Sequence, residues 1–247
     1  MGDWGVTPVT VGLLAAGIAL TPVWARGRLR RDDPIVDLAS LRRRTTAATH
    51  LTAVAAGFTG FMCFVVTSHA LQADEPHGFG LSLTEAGVFM TPASMSFLLI
   101  GPVTSQLILR LGMRRTLMIG GTITAAGAIG IALDGTSLPA LFVFSFVVFI
   151  GNGTLMSSLP VATAAYSDPQ DIGSTNGVNA LARTTGIAFA SGVFALVVGS
   201  LATDAVAGVL AWTEGLSAVV AASIVGMCAI TIPRRPRRDD ASGSGSR

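Results

Sequence analysis

Long apolar runs separated by short polar stretches make up most of this 247-residue chain. A helix needs about 20 mostly apolar residues to cross a bilayer. Runs of that order, almost free of charge in their middle, occur seven times. We therefore predict seven transmembrane helices, numbered one to seven, over residues 6–24, 47–71, 83–109, 116–133, 138–166, 174–202 and 209–232.

These runs favour helices over the strands of a membrane β-barrel. Barrel strands alternate apolar and polar positions over about ten residues, whereas these runs are longer and continuously apolar. In lipid, a helix satisfies its backbone hydrogen bonds within its own segment. The first run follows Asp3 and precedes several arginines, the reverse of the charge order of a signal peptide, so we interpret it as a retained helix. The predicted fold class is an all-α integral membrane protein.

Arginines determine the predicted orientation, because short cytoplasmic loops of membrane proteins are enriched in Lys and Arg. Arginine clusters follow predicted helices one, three and seven, within residues 26–44, 110–115 and 234–238. The opposite side receives no arginine and seven of the 14 acidic residues, namely Asp3, Asp74, Glu75, Glu85, Asp134, Asp204 and Glu214. We predict a multi-pass protein of the cell (inner or plasma) membrane with its N-terminus outside and its C-terminus in the cytoplasm.

The polar stretches divide the chain into four parts. Residues 1–25 hold one helix, residues 26–46 form a basic, amphipathic cytoplasmic linker, and residues 47–233 form a six-helix bundle. Residues 234–247 are polar and rich in Gly and Ser, so they cannot bury a core and are predicted to be disordered. Ser82 or Thr84 is available to cap predicted helix three.

Composition removes several classes of function. Only 12% of the residues are charged, against about 25% in soluble domains, and no soluble basic domain is present that could bind nucleic acid. The chain has no CxxC or HExxH spacing, no lysine for a retinal Schiff base, and no histidine beside an acid or nucleophile at a useful spacing. Cys63 and Cys228 fall inside predicted helices and are expected to pack there. We predict a protein that is not an enzyme and has no cofactor or metal.

Ionisable side chains inside a membrane are costly and indicate function. Between Arg44 and Arg183 no charged residue is predicted to lie deeper than about two turns from a helix end, and we expect the bundle to lack a deep carboxylate. Arg183 lies about nine residues, roughly 14 Å, from the cytoplasmic start of predicted helix six. Either it snorkels to the inner interface, or it faces an aqueous cavity together with Asn176 and Asn179.

The stretch FIGNGTLMSSLP places Gly151, Asn152, Gly153 and Pro160 inside predicted helix five. Small residues allow close packing of membrane helices, and proline kinks them. The same helix could line a pathway, with Asn152 in contact with a substrate. The two interpretations are compatible.

Predicted helix three contains Met90 and Met95 together with two prolines. Methionine side chains line adaptable binding surfaces and also fill gaps in cores. Core packing is the simpler interpretation, and we predict it for both.

Together these motifs resemble the major facilitator superfamily, and within it the fourteen-helix drug:proton antiporters. The stretch GPVTSQLILRLGMRR is similar to the loop signature GxxxDRxGRR: Arg110 and Gly112 match it in register, and Arg114 and Arg115 match its final arginine pair with one extra residue before them. Ser105 stands in place of the signature's glycine and Leu109 in place of its acid, which removes one half of a salt-bridge network. GNGTLMSSLP is similar to the glycine-rich tenth core helix of the family, and GSTNGVNALARTTGIAFASG to the segment that opens the eleventh.

The resemblance implies a fold with two six-helix halves and a substrate site near the membrane midplane. Predicted helix one would be the last extra central helix, and the other six the C-terminal bundle. The N-terminal half, which holds the family's antiporter motif and usual proton-carrying acids, is absent from the sequence. The chain is therefore expected to be a fragment, a gene remnant or a half-transporter that pairs with another half or with a second copy.

The function implied is that of the C-terminal half of a proton-coupled multidrug efflux permease, which moves amphipathic small molecules by alternating access. Its partners are the lipid bilayer, the small-molecule substrate and, in the intact transporter, protons. The predicted cavity contacts are Asn152, Asn176, Asn179 and Arg183, and the predicted conformational loop comprises Arg110, Gly112, Arg114 and Arg115. The alternative is a truncated, non-transporting membrane protein that assembles with or regulates a full-length permease.

Overall fold

Six long helices follow one another along the chain. In the computed structural model they are α1 (Arg44–Gln72), α2 (Leu83–Leu111), α3 (Met113–Asp134), α4 (Leu138–Tyr166), α5 (Ile172–Ser200) and α6 (Val206–Thr231). The structure describes residues 44–75, 78–166, 171–200 and 206–232, together with Ala19. The chain divides into two units, Met1–Asp37 and Leu38–Arg247, and the six helices belong to the second.

Predicted helices two to seven are confirmed as α1 to α6, and no boundary moves by more than three residues. Each of the six is long and apolar enough to cross a membrane. Arg44 begins α1, so the end of the predicted linker belongs to this helix. Predicted helix one, the linker up to residue 43 and the tail over 234–247 lie outside the described residues.

Ser82 caps α2 through a reciprocal pair of hydrogen bonds with Glu85. The Glu85 N–H donates to the Ser82 hydroxyl at 3.3 Å, and the Ser82 N–H donates to the Glu85 carboxylate at 2.9 Å. This arrangement, a capping box, satisfies two backbone donors that a helix N-terminus leaves free. One of the two predicted capping residues is thereby confirmed.

A single residue, Gly112, connects α2 to α3. Its φ of 83° and ψ of 160° lie in a backbone region that only glycine adopts without strain. Its N–H donates to the Ile108 carbonyl at 2.9 Å, and its own carbonyl accepts the Thr116 N–H at 3.2 Å. The glycine of the RLGMRR stretch therefore ends one helix and begins the next.

The helices differ in how much of their surface they bury. α1 packs against α4, α5 and α6, and α3 packs against α4 and α6. In the most apolar segments of α1 and α3, 56% of the residues are buried, against 17% in α2 and 11% in α5. Large apolar side chains such as Leu98 and Phe189 point outward. An apolar exterior of this kind suits a bundle surrounded by lipid.

The crossing of α1 and α5 depends on glycine in both helices. A Cβ placed on Gly186 would clash with the Val54 carbonyl, and one placed on Gly57 would clash with the Arg183 carbonyl. Small residues let membrane helices approach this closely, so that van der Waals contact between backbones contributes to their association.

Buried hydroxyl groups are satisfied largely within their own helices. Thr52, Thr124 and Ser158 each donate to the carbonyl four residues earlier, at 2.7, 2.9 and 2.7 Å. Such bonds provide a partner for a polar side chain where water is absent. Buried hydroxyl groups that form such a bond are therefore compatible with an apolar surrounding.

Candidate functional site

Three consecutive residues of α4 meet three different neighbouring helices. A Cβ on Gly151 would lie 2.5 Å from the Thr124 nitrogen of α3, and one on Gly153 would lie 2.7 Å from the Ile100 side chain of α2. Between them, the Asn152 amide faces α1. The small side chains of Gly151 and Gly153 thus let α4 lie close to two helices while Asn152 makes polar contacts with a third.

Asn152 is 3% exposed and its polar contacts are with α1. Its Nδ2 donates to the Ala56 carbonyl at 2.8 Å and to the Thr59 hydroxyl at 3.1 Å. The space for the amide exists because Gly60 has no side chain: a Cβ there would lie 2.6 Å from Asn152 Oδ1. Hydrogen bonds between membrane helices contribute about 0.6–2 kcal/mol each.

Asn176, Asn179 and Arg183 lie on one face of α5, since they are three and four residues apart. Asn179 is 3% exposed, and its Nδ2 has no hydrogen-bond partner among the residues that the structure describes. Arg183 is half-buried, and its Nη1 lies 3.7 Å from the Met156 sulfur of α4. Met156 is one turn from Asn152 along α4, so this face of α5 adjoins the same part of the bundle.

The residues of the predicted conformational loop lie at the junction of α2 and α3. Arg110 and Arg115 are exposed, whereas Arg114 is half-buried and donates from Nη2 to the Ala229 carbonyl in the last turn of α6. Leu109, which stands where the signature has an acid, is 79% exposed. Arg114 is thus the arginine of this loop that is joined to another helix.

Pro160 lies inside α4 and is exposed. Because proline has no N–H, the Met156 carbonyl lacks its usual donor within the helix. The part of α4 that follows GNGTLMSS therefore has one backbone hydrogen bond fewer than a regular helix.

A groove of about 440 Å³ lies between α1 and α2. Apolar side chains form most of its wall, with Ser68 and Gln72 as polar groups; the apolar lining includes Phe64, Leu83, Met90, Met95 and Leu98. Met90 is buried, as predicted, but Met95 is 53% exposed, so the prediction of core packing is wrong for Met95. None of the four residues predicted to contact substrate lines this groove.

The expectation that the bundle lacks a deep carboxylate is wrong. Glu214 lies about 12 Å along α6 from Val206 at 1.5 Å per residue, and it is 0% exposed. Its charge alone predicts a position on the outer side of the membrane. The signal that identifies it as buried is spacing, since Leu210, Glu214, Ser217 and Ala221 repeat at three or four residues along the buried face of α6.

The described residues include no group of three or more side chains suited to hold a metal ion. Cys63 and Cys228 are free and buried, which confirms that they pack within the helices.

Comparison with known families extends over almost the whole chain. The model of the Major Facilitator Superfamily matches residues 2–191 and, in a second alignment, residues 50–246. No curated protein matches the chain.

Proposed function

Because the chain belongs to the major facilitator superfamily, a family of multi-pass transporters, we propose that it is the C-terminal half of a proton-coupled efflux permease for amphipathic small molecules. Transport in this proposal occurs by alternating access, in which one bundle of helices rocks against another around a site near the midplane. The bundle described above supplies one wall of the pathway. A second bundle, from another half or another copy, supplies the opposite wall.

The observation that supports an amphipathic substrate is the groove between α1 and α2. Its lining is apolar and contains two methionines, whose flexible side chains adapt to ligands of different shape. At one side Gln72 donates to the Ser68 carbonyl at 3.0 Å and to its hydroxyl at 2.8 Å, and these polar groups can reorient toward a ligand. A small molecule with an apolar body and a polar end would match this surface.

Asn152, Asn176, Asn179 and Arg183 are proposed to contact substrate where the two bundles meet. Support comes from the unpartnered Nδ2 of Asn179 and from the half-buried guanidinium of Arg183 on the same face of α5. In the packed bundle Asn152 is engaged with α1. Its contact with substrate therefore requires α1 and α4 to separate during the transport cycle.

Substitutions that fill the groove test this function. Met95→Trp is expected to reduce efflux of a fluorescent amphipathic cation several-fold, because the indole occupies space that the ligand needs. Val103→Trp is the matched control, since Val103 is also exposed on α2 but does not line the groove. Equal efflux in both variants, at equal protein levels, would contradict the assignment of the groove to substrate.

Cells that produce these variants also test the second function, in which the chain assembles with or regulates a full-length permease. A tag after Arg247 reports the mass of the native product, expected near 25.2 kDa for this chain alone. If efflux depends on a co-purifying permease and is unchanged by Met95→Trp, the chain assembles with or regulates that permease and does not itself transport the compound. A product about twice as heavy places these helices within one complete transporter.

A further inference from the structure

The bundle encloses the carboxyl group of Glu214, and no described residue forms a hydrogen bond with it. Glu214 is 0% exposed, and within the described part of the chain neither Oε1 nor Oε2 has a partner within hydrogen-bond distance. Ser217, one turn further along α6, is also 0% exposed, and its hydroxyl is likewise without a partner. Two polar side chains on the same helix face thus remain unsatisfied in the packed state.

Other polar groups face this position from α1 and α4. Cys63 is fully buried and lies close enough to Glu214 that like charges on the two groups would repel each other. Its sulfur lies 4.0 Å from the Thr67 hydroxyl, which is 3.1 Å from the Ser145 hydroxyl of α4. Cys63, Thr67, Ser145 and Glu214 each lie five to nine residues from the helix end on the side where α1 ends and α4 and α6 begin. They therefore lie at a similar depth, about 8–14 Å from that side of the bundle at 1.5 Å per residue.

No described cation neutralises Glu214. On α3, Arg114 is bonded to Ala229 near the far end of α6, and Asp134 is exposed at the end of its helix. On α5, Arg183 lies against Met156. The described histidines are both on α1: His69 packs its ring edge against Phe194, and His50 lies at the opposite end of that helix. Among the described residues of the helices packed around Glu214, Cys63 is the titratable group that faces it.

An ionised carboxylate in such surroundings is very unfavourable. Burying an isolated charge without a partner costs up to tens of kcal/mol by simple solvation estimates, and such groups become neutral instead. Leu210 and Ala218, which flank Glu214 on its helix, belong to the apolar core. The packed bundle therefore holds Glu214 with its proton on, as a carboxylic acid.

We propose that Glu214 is a proton-binding site of this chain. In the packed conformation a proton resides on a carboxylate oxygen of Glu214; when α6 separates from α1, water enters, the proton passes to a water molecule and the carboxylate remains. This inference rests on the proposed function for its role in transport, where it supplies a proton carrier within this bundle. The binding of the proton itself does not depend on that function.

Infrared spectroscopy of the full chain in lipid bilayers tests the site. The chain contains three glutamates, Glu75, Glu85 and Glu214, so labelling with ¹³C-glutamate gives few carboxyl signals. At neutral pH we expect a C=O band of a protonated acid that disappears in Glu214→Gln. The band should persist in Glu85→Gln, the matched control, because Glu85 is exposed and glutamine preserves the capping box.

The design remains decisive if Glu214→Gln fails to fold. In Glu75→Gln/Glu85→Gln the labelled signal comes from Glu214 alone. A protonated band at neutral pH in that variant supports the proposal, and a carboxylate band alone overturns it.

Thiol labelling tests the link between the proton and the opening of the bundle. In Cys228→Ala, Cys63 is the sole cysteine and reports access to the space beside Glu214. Raising the pH is expected to increase the labelling of Cys63 several-fold more in Cys228→Ala than in Cys228→Ala/Glu214→Gln. Because thiols ionise with pH in both proteins, the difference between them measures the effect of Glu214. Equal labelling overturns the coupling.

Neither measurement requires a substrate. If the infrared band is present while efflux is absent from every variant, the proton site stands and the proposed efflux function fails. If efflux is active and the band is missing, the proton site fails and the efflux function stands.

Discussion

The guanidinium of Arg114 donates a hydrogen bond to the Ala229 carbonyl, which joins the start of α3 to the last turn of α6. In a continuing helix this carbonyl would accept the N–H of residue 233, but that residue is Pro233 and has no N–H. A basic side chain near a helix C-terminus satisfies such free carbonyls and interacts favourably with the helix dipole. Arg114 therefore has a structural partner as well as a place in the proposed conformational loop.

Replacing Arg114 by alanine should slow the exchange between inward-facing and outward-facing states while substrate binding changes little. The reason is that the loop loses its hydrogen bond to the last turn of α6. The rates can be followed with fluorophores on the two bundles of the intact transporter. Arg115→Ala, which removes an exposed arginine from the same turn, is the control, and an equal slowing there would point to charge rather than to the Ala229 contact.

Gly112→Ala is expected to lower the free energy of unfolding by about 1–3 kcal/mol, because φ of 83° with ψ of 160° is strained for any residue with a Cβ. Gly87→Ala is the matched control within α2. Nothing lies within 4 Å of a Cβ at Gly87, so alanine should stabilise the helix by about 0.5–1 kcal/mol. Denaturant titration in detergent micelles measures both changes, and two shifts of the same sign would refute the explanation.

Gly186→Ala should separate α1 from α5, because its methyl group would meet the Val54 carbonyl. We expect the free energy of unfolding to fall by about 1–3 kcal/mol, the usual range for overpacking. Gly192 lies on the same helix with open space around it. A thermal-unfolding comparison should show Gly192→Ala unchanged or slightly stabilised; similar losses at both positions would mean that helix propensity, and not the crossing, governs the effect.

Asn152→Ala should destabilise the bundle by about 1–3 kcal/mol, through the lost hydrogen bonds to α1 and the space left at Gly60. Asn176 is half-buried on α5, so Asn176→Ala should lower the free energy of unfolding by less. Urea-induced unfolding can rank the two. Should Asn176→Ala prove the more harmful, the stabilising role assigned to Asn152 would be incorrect.

A cytoplasm-specific reporter fused after Arg238 tests the predicted orientation. Arginines gather at the ends of the helices assigned to the cytoplasm, so the fusion should be active. A stable but inactive fusion after Arg238, together with an active fusion at Gly135 between α3 and α4, would show that the orientation is the opposite of the predicted one.

Hydropathy predicted the six described helices well because length and apolar content are local properties of the chain. Ser82 was predictable for the same reason, since a capping box involves residues three apart. Glu214 was not predicted, because the count of charges on each side of the membrane places an acid without considering which helix face it occupies. The partners of Gly57 and Asn152 depend on which helices are neighbours, and spacing along one helix does not contain that information.

The three neighbours of residues 151–153 have a consequence for how α4 can rotate. Successive residues of a helix differ in direction by about 100°, so a turn of α4 by one position would carry the Asn152 amide away from Ala56 and toward α2 or α3. There it would meet the close contacts now occupied by Gly151 and Gly153. One polar side chain between two glycines therefore defines the rotational register of α4, and wrongly rotated packings are penalised during assembly in the membrane.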